Sequence, residues 1–573
     1  MSVRQSIAQV VPGVAALDSY RPSWLRKDIV AGLILTALLV PQGMAYAELA
    51  GLPPITGLYT SIMCLVGYAV FGPSKVLVLG PDSALGPMIA ACIIPLVAAN
   101  GDPGKAVAYA SILALMVGAI TVFAGIFKLG FVAELLSKPT QIGYMNGLAL
   151  TIVIGQLPKL FGFSVDGDGL IDETTQFVGA VADGKTVPAA LAVGLGSLIL
   201  ILGFQRLLPR VPGVLVAVVL AIVAVSVFSL TDLNVKVVGP LPEGFPPFTI
   251  PTVAFGDLTL LLLGALGIAL VSLTDTISTS SAFAARSGAQ VDGNKEMIGI
   301  GAANVAAGFF QGFPVSTSGS RTAVAAQNGA KTQVTGLVGA AAIALLLLFA
   351  PGLLRNLPQP TLAAVVIAAS FSLADLSGMR RLWRQRKSDF WLAMAAFLGV
   401  ALLGVLPGIG IAVGLSILDV FRRAWRPYHA RLGRVPGISG YHDMTDYPEA
   451  AQLPGLVIFR FDSPLFFANA NTFRDEVLEL AAEEPRPKKI VIAAEPITDI
   501  DTTAADMLAD LDRKLNADGV SLAFAELKSR VQEKVERYEL TGVINPAHFY
   551  PTIGSAIRAF EAETGAAWPS ENS

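Results

Sequence analysis

The sequence predicts a bundle of about fourteen membrane-spanning helices followed by a soluble α/β domain. Three observations lead there. Of 573 residues 53% are hydrophobic and 14% charged, with a mean hydropathy of +0.63, too apolar for a chain that meets only water. The charge is unevenly divided. Residues 441–573 hold 23 acidic and 12 basic side chains against 20 acidic and 28 basic in the residues before them, so the tail alone has the polarity of a soluble domain. Finally, Gly and Pro interrupt two apolar stretches in corresponding places of the two halves, the pattern of an inverted-repeat transporter.

A span needs roughly 20 apolar residues. Spans are expected near 29–48, 56–72, 76–98, 106–127, 141–160, 188–205, 212–230, 256–280, 296–313, 318–328, 333–351, 358–375, 389–405 and 407–422. Leu258–Thr274 and Asn356–Ala374 carry no charge at all. The first 20 residues lack a continuous apolar core and a charged hinge precedes the first run, so no cleavable signal peptide is expected and the N-terminus is placed in the cytoplasm. Connections after even-numbered spans then carry Lys75, Lys128, Arg206, Lys295 and the basic run from Arg380 to Lys387, as the positive-inside bias requires. The connection after the fifth span holds Asp166, Asp168, Asp172, Glu173 and Asp183 and fits the outside. An even number of spans returns the tail to the cytoplasm. The expected division is a cytoplasmic segment 1–24, a membrane domain 25–430, a soluble domain 440–565 and a tail 566–573.

The interruptions are Leu79–Pro87 (LGPDSALGP) in the third span and Phe313–Arg321 (FPVSTSGSR) before an unusually short tenth. Half-helices starting there turn positive dipole ends toward mid-membrane, where an anion is the expected cargo; the alternative is a pair of helix kinks tolerated by packing. A charge in the hydrocarbon costs roughly 2.5–3.5 kcal/mol on insertion scales, which singles out Asp82, Asp275 and Arg321. Asp275 has Thr279 one turn away on the same face, a pair suited to sodium or, through the carboxyl, a proton; a cytoplasmic helix end or an ion pair with Arg321 are the other readings. Arg321, beside Ser318, Gly319 and Ser320, either helps bind an oxyanion or pairs locally. Asp82 reads as an N-cap. Gln42 and Tyr46 lie one turn apart on the first span and either hydrogen-bond a ligand or pack between helices.

Cys64 and Cys92 lie in apolar stretches and read as small core residues rather than a disulfide or metal pair. With three His residues, no nucleophile motif and no phosphate-binding Gly-Lys loop, neither an enzyme nor an ATPase is expected. No cofactor and no nucleic-acid partner are expected.

The segment Pro41–Tyr59 (PQGMAYAELAGLPPITGLY) resembles the signature of the SulP family, the sulfate permeases also called solute carrier family 26. The likeness continues through Val291–Glu296 (VDGNKE), Gly301–Asn304 (GAAN), Gly319–Ala323 (GSRTA) and Asn328–Thr332 (NGAKT). It implies a seven-plus-seven inverted repeat with core and gate subdomains, elevator-like alternating access and a homodimer. By position, its anion site comprises Gln42, Tyr46, Ser83, Ala84, Leu85, Ser318, Gly319, Ser320 and Arg321. In a sodium-coupled bicarbonate branch of the family an Asp and a Thr four residues on bind the cation, and Asp275 and Thr279 match; many relatives carry Glu there and are proton-coupled or uncoupled.

The tail resembles a STAS domain, with strands expected at Gly455–Phe461, Lys489–Ala494 and Ser521–Glu526 alternating with helices. Asp499–Ala504 (DIDTTA) falls in the loop where stand-alone STAS proteins are phosphorylated, making Thr502 and Thr503 candidate regulatory positions, with a helix N-cap as the other and preferred reading. The expected function is cation-coupled symport of a small anion across the plasma membrane, sulfate first, with bicarbonate and dicarboxylates behind. An uncoupled exchanger or channel, or an anion receptor signalling to a cytoplasmic partner, are the other classes.

Overall fold

The computed structural model describes residues 11–13, 20–97, 102–130, 136–165, 167, 169–208, 211–287 and 290–568. Asp166, Asp168, most of the segment 1–24 and the end of the tail 566–573 lie outside them. The chain divides into two units after Ser416.

Helices of the first unit follow the apolar runs. The first half holds α1 (Leu25–Leu49), α2 (Pro54–Phe71), α3 (Gly86–Val97), α4 (Pro103–Ile126), α5 (Lys138–Leu160), α6 (Leu170–Ala182), α7 (Pro188–Leu207) and α8 (Gly213–Phe228). The second half holds α9 (Leu258–Ser287), α10 (Gly293–Phe309), α11 (Gly319–Gln327), α12 (Val334–Phe349), α13 (Gln359–Leu373), α14 (Leu376–Gln385), α15 (Lys387–Leu403) and α16 (Val405–Trp425), which leads into the second unit. Setting aside α6 and α14, fourteen described helices match the fourteen expected spans in order. The expected third span, 76–98, proves to be a strand, β1 (Leu79–Gly80), a turn and the short α3; the tenth is β2 (Ser316–Thr317) and the nine-residue α11. Neither α6 nor α14 was expected: each is too short and too polar to register as a span.

The helices form two groups. In one, α10 packs on α4 and α2, α12 on α1 and α2, and α9 on α4. In the other, α13 and α15 pack on α5, α7 on α13 and α8, and the Ser137 backbone N–H ahead of α5 donates to Ser416 Oγ of α16 (2.8 Å). Approach within the first group is backbone-close: a Cβ on Gly57 of α2 would collide with the Gly43 carbonyl oxygen of α1, the small-residue contact that lets membrane helices pack without a hydrophobic driving force.

The second unit is a six-stranded sheet, order β4-β3-β5-β6-β7-β8, of β3 (His429–Gly433), β4 (His442–Asp443), β5 (Leu456–Phe461), β6 (Lys489–Ala493), β7 (Ser521–Ala525) and β8 (Phe549–Tyr550). The last four are mutually parallel, while β3 runs antiparallel to β4 and β5. Helices α17 (Ala470–Ala481), α18 (Thr502–Ala517), α19 (Ser529–Arg537) and α20 (Ile553–Thr564) supply the crossovers and cover, burying both faces as a parallel sheet requires. One face packs Phe459, Phe461 and Ile492 against Phe473 and Leu508; the other packs Ile458 and Val491 against Ile557 and Phe560. The sheet starts earlier than the expected domain boundary at 440, because β3 pairs His429 with Phe461.

Candidate functional site

The two interruptions meet. Strands β1 and β2 pair antiparallel, Leu79 with Thr317 and Gly80 with Ser316, so α3 and α11 start from one short ribbon and run apart from it. Irregular backbone inside a membrane must be satisfied by protein, and polar side chains of neighbouring helices do this. Val315 N–H donates to Asn304 Oδ1 (2.9 Å), Ser272 Oγ donates to Val315 O (3.0 Å) and Phe313 N–H donates to Thr60 Oγ1 (3.1 Å). On the other strand Val78 N–H donates to Thr322 Oγ1 (3.0 Å), and Gln333 Nε2 donates to the carbonyls of Ser74 and Leu77 (2.8 and 2.9 Å).

A cavity of about 1010 Å³ opens at these helix starts. The first helix group gives it Gln42 and Tyr46 from α1, Ser83 before α3, Asp275 and Thr279 from α9, and Ser318, Gly319, Ser320 and Arg321 at α11. Tyr46 is within hydrogen-bonding reach of Ser83. Ser318 caps α11, its Oγ accepting from Arg321 N–H (3.4 Å) and lying 3.1 Å from Ser320 Oγ. Ala84 and Leu85 do not line the cavity: both are fully buried, and Ala84 N–H is taken up by Asp82 Oδ1 (2.9 Å), so that donor is not available to a ligand. Asp82 was expected as an N-cap; its carboxylate instead closes the turn that precedes α3, which begins only at Gly86.

Arg321 is 1% exposed, and its guanidinium N–H groups have no hydrogen-bond partner among the described residues. Its nearest carboxylate is Asp82, at 4.0 Å, so the expected alternative of a pair with Asp275 is corrected: the ribbon places Arg321 beside the third-span turn instead. The guanidinium lies over Gly80, where a Cβ would come within 2.8 Å of Nη1. A buried charge without hydrogen bonds is costly, and a charged fork of donors at a helix start is what a planar or tetrahedral oxyanion fills.

Asp275, half-buried, lines the cavity with Thr279 and Ser278 and has no ion-pair partner among the described residues. One carboxylate and hydroxyl oxygens suit a hard monovalent cation, and the carboxyl alone suits a proton. No three His, Cys, Asp or Glu side chains gather as a multivalent metal site among the described residues.

Sequence reasoning missed the opposite wall, which comes from the second helix group: Gln141 and Met145 of α5, Val365 and Ala369 of α13. Gln141, an amide in the first turns of a largely apolar helix, carried a usable signal; the apolar residues carried none. In the second unit Asp501, not a threonine, caps α18, accepting from Ala504 N–H (2.7 Å), and leaves Thr502 and Thr503 exposed. Lys534 pins the same loop, with Nζ donating to Ile500 O (3.0 Å) and 2.5 Å from Asp499 Oδ1; that ammonium holds the Asp499 carboxyl below the usual range.

Residues 25–396 match the model of the sulfate permease family and residues 447–556 that of the STAS domain. A probable sulfate transporter of Mycobacterium tuberculosis is 42% identical over 550 residues, covering 96% of this chain and 98% of that one. A probable sulfate transporter of Arabidopsis thaliana is 31% identical, covering 96% and 90%. Among solved structures, the murine solute carrier 26 family member A9 anion transporter in the inward-facing state superposes with a TM-score of 0.89 at 23% identity, covering 97% of this chain and 95% of that one. The transmembrane domain of a cyanobacterium bicarbonate transporter superposes at 0.61 with 24% identity, covering 69% and 99%.

Proposed function

The chain belongs to the sulfate permease family, and on that premise we propose that it is a secondary transporter of a small oxyanion, sulfate first, coupled to a cation through Asp275. The observation that carries the reading is Arg321, a buried guanidinium with unused N–H groups at a half-helix start beside the cavity. Relatives named as sulfate transporters at up to 42% identity over nearly the whole chain support the choice of anion.

The charges of the cavity supply a reason for coupling. Its lining holds two carboxylates, Asp82 and Asp275, and one guanidinium, Arg321. With all three ionised the site is net negative, and a low-dielectric cavity magnifies the repulsion of an entering anion. A sodium ion or a proton at Asp275 removes that excess, so anion and cation each favour the other's binding, the reciprocity that thermodynamic linkage demands. Gln42, Tyr46, Ser83, Ser318 and Ser320 then orient the oxyanion without adding charge.

In this reading the first helix group carries the site and slides against the second in an elevator-like exchange. The protein acts as a homodimer in the plasma membrane with both termini cytoplasmic, and Thr502 and Thr503 offer phosphorylation sites to a STAS-binding regulator. A second reading rests on the Arg321–Asp82 pair at 4.0 Å, which balances charge without Asp275 and suits an uncoupled exchanger or channel.

The test is uptake of labelled sulfate into proteoliposomes, with bicarbonate and dicarboxylates as competitors. Arg321→Gln should lower sulfate affinity roughly 10- to 100-fold, the 1.5–3 kcal/mol of hydrogen bonds to a charged group. Unchanged affinity in that variant removes the reading.

A further inference from the structure

A second cavity, of about 640 Å³, lies away from the transport site, between α14, α15 and α5. Its depth is apolar: Phe390, Met394 and Phe397 of α15 line it at i, i+4 and i+7, a stripe about 10 Å long at 1.5 Å per residue. Its mouth is basic. Arg380 and Arg384 line it one helical turn apart on α14, both exposed and without an ion-pair partner among the described residues, whereas neighbouring Arg386 is paired with Asp389 (3.4 Å). Trp383 edges against Phe390 (ring centroids 4.8 Å apart) and lies under Lys387 Nζ (5.8 Å).

Behind the groove, Asn146 of α5 is 6% exposed and its amide nitrogen donates to Ile142 O and Asp375 O (2.7 and 3.3 Å), which ties α5 to the residue just before α14.

Leu376, Trp383 and Trp391 are exposed beside this groove, the apolar and aromatic side chains of an element that rests in a membrane interface. By the positive-inside bias this end of α5 and α15 is cytoplasmic. A phosphodiester matches two unpaired guanidinium groups one turn apart, and an acyl chain matches the apolar stripe that descends into the hydrocarbon. The geometry points to a binding site for one anionic phospholipid, held between α14 and α15 and independent of the transported anion.

The test counts lipids on the purified full-length protein by native mass spectrometry, which also reads oligomeric state. Phosphatidylglycerol and phosphatidylcholine of matched acyl chains are added separately, and inorganic phosphate competes in a third arm. Wild type should retain phosphatidylglycerol in preference to phosphatidylcholine, with inorganic phosphate at equal concentration unable to displace it. The double variant R380Q/R384Q should bind phosphatidylglycerol about 30-fold more weakly, as expected for two basic groups of roughly 1 kcal/mol each near an anionic surface. R380K/R384K should fall between, and Arg206→Gln should match wild type. Equal retention of the two lipids, full binding by R380Q/R384Q, or displacement by inorganic phosphate overturns the proposal. So does a change in oligomeric state with lipid binding intact, which assigns the groove to a second copy.

Discussion

Arg321 is held by one glycine and one carboxylate, and both can be tested. Gly80→Ala places a methyl group 2.8 Å from Nη1, so the guanidinium must move while its charge stays. The expected result is a rise in the half-saturating sulfate concentration of about tenfold, with the protein still folded, because overpacking of this kind typically costs about 1–3 kcal/mol. A sulfate-binding titration beside a melting curve separates the two effects. Residues of this site were legible wherever their chemistry was out of place: Arg321, Asp82 and Asp275 because charge is rare in apolar runs, Gln42 and Tyr46 because they are polar at one-turn spacing. The partner of Arg321 was not legible. It depends on a strand pairing that joins residues more than 200 positions apart, and no local pattern records that.

At the scale of elements, the broken spans work because other helices satisfy their freed backbone. Asn304→Ala removes the acceptor of Val315 N–H and leaves a buried donor unpaired, at a cost of about 1–3 kcal/mol. The expected outcome is a lower melting temperature together with weaker sulfate binding, since β2 and the start of α11 lose their tether. In the second unit, the Asp499–Lys534 contact is one that depends on pH. Asp499 is held below the ordinary carboxylate value, so the contact is intact above about pH 3.9 and is lost as pH falls through the lower folded value. Lys534→Met should move the Asp499 titration back up toward the ordinary range, as read by carboxyl NMR shifts. Periodicity and Gly/Pro punctuation revealed the half-helices and three of the sheet's strands. They did not reveal α6 and α14, whose amphipathic turns are too polar for a span, or the edge strands β4 and β8, each two residues long.

For the whole molecule, composition alone separated an apolar unit from an acidic one, and the chain does divide after Ser416. The boundary was read too late because the acidic residues that mark the tail begin at Asp443, after β3 has joined the sheet, and the charges just before them are all arginines. The division of the helices into two groups, with the half-helix site in the first and Gln141, Met145, Val365 and Ala369 of the second across the cavity, was implied by family resemblance and not by pattern. It gives the proposed elevator its two parts: a body that carries the anion and a wall it moves along. Coupling of that motion to a cation is the central claim, and it rests on the cavity holding one acid more than it can neutralise. The most direct measurement is labelled sulfate uptake into proteoliposomes under separate inward sodium and proton gradients, comparing wild type with Asp275→Asn. One gradient should drive accumulation in wild type, and the variant should lose this drive while still exchanging sulfate, because its cavity is already balanced. Accumulation that ignores both gradients, or that persists in the variant with its cation dependence unchanged, contradicts that claim.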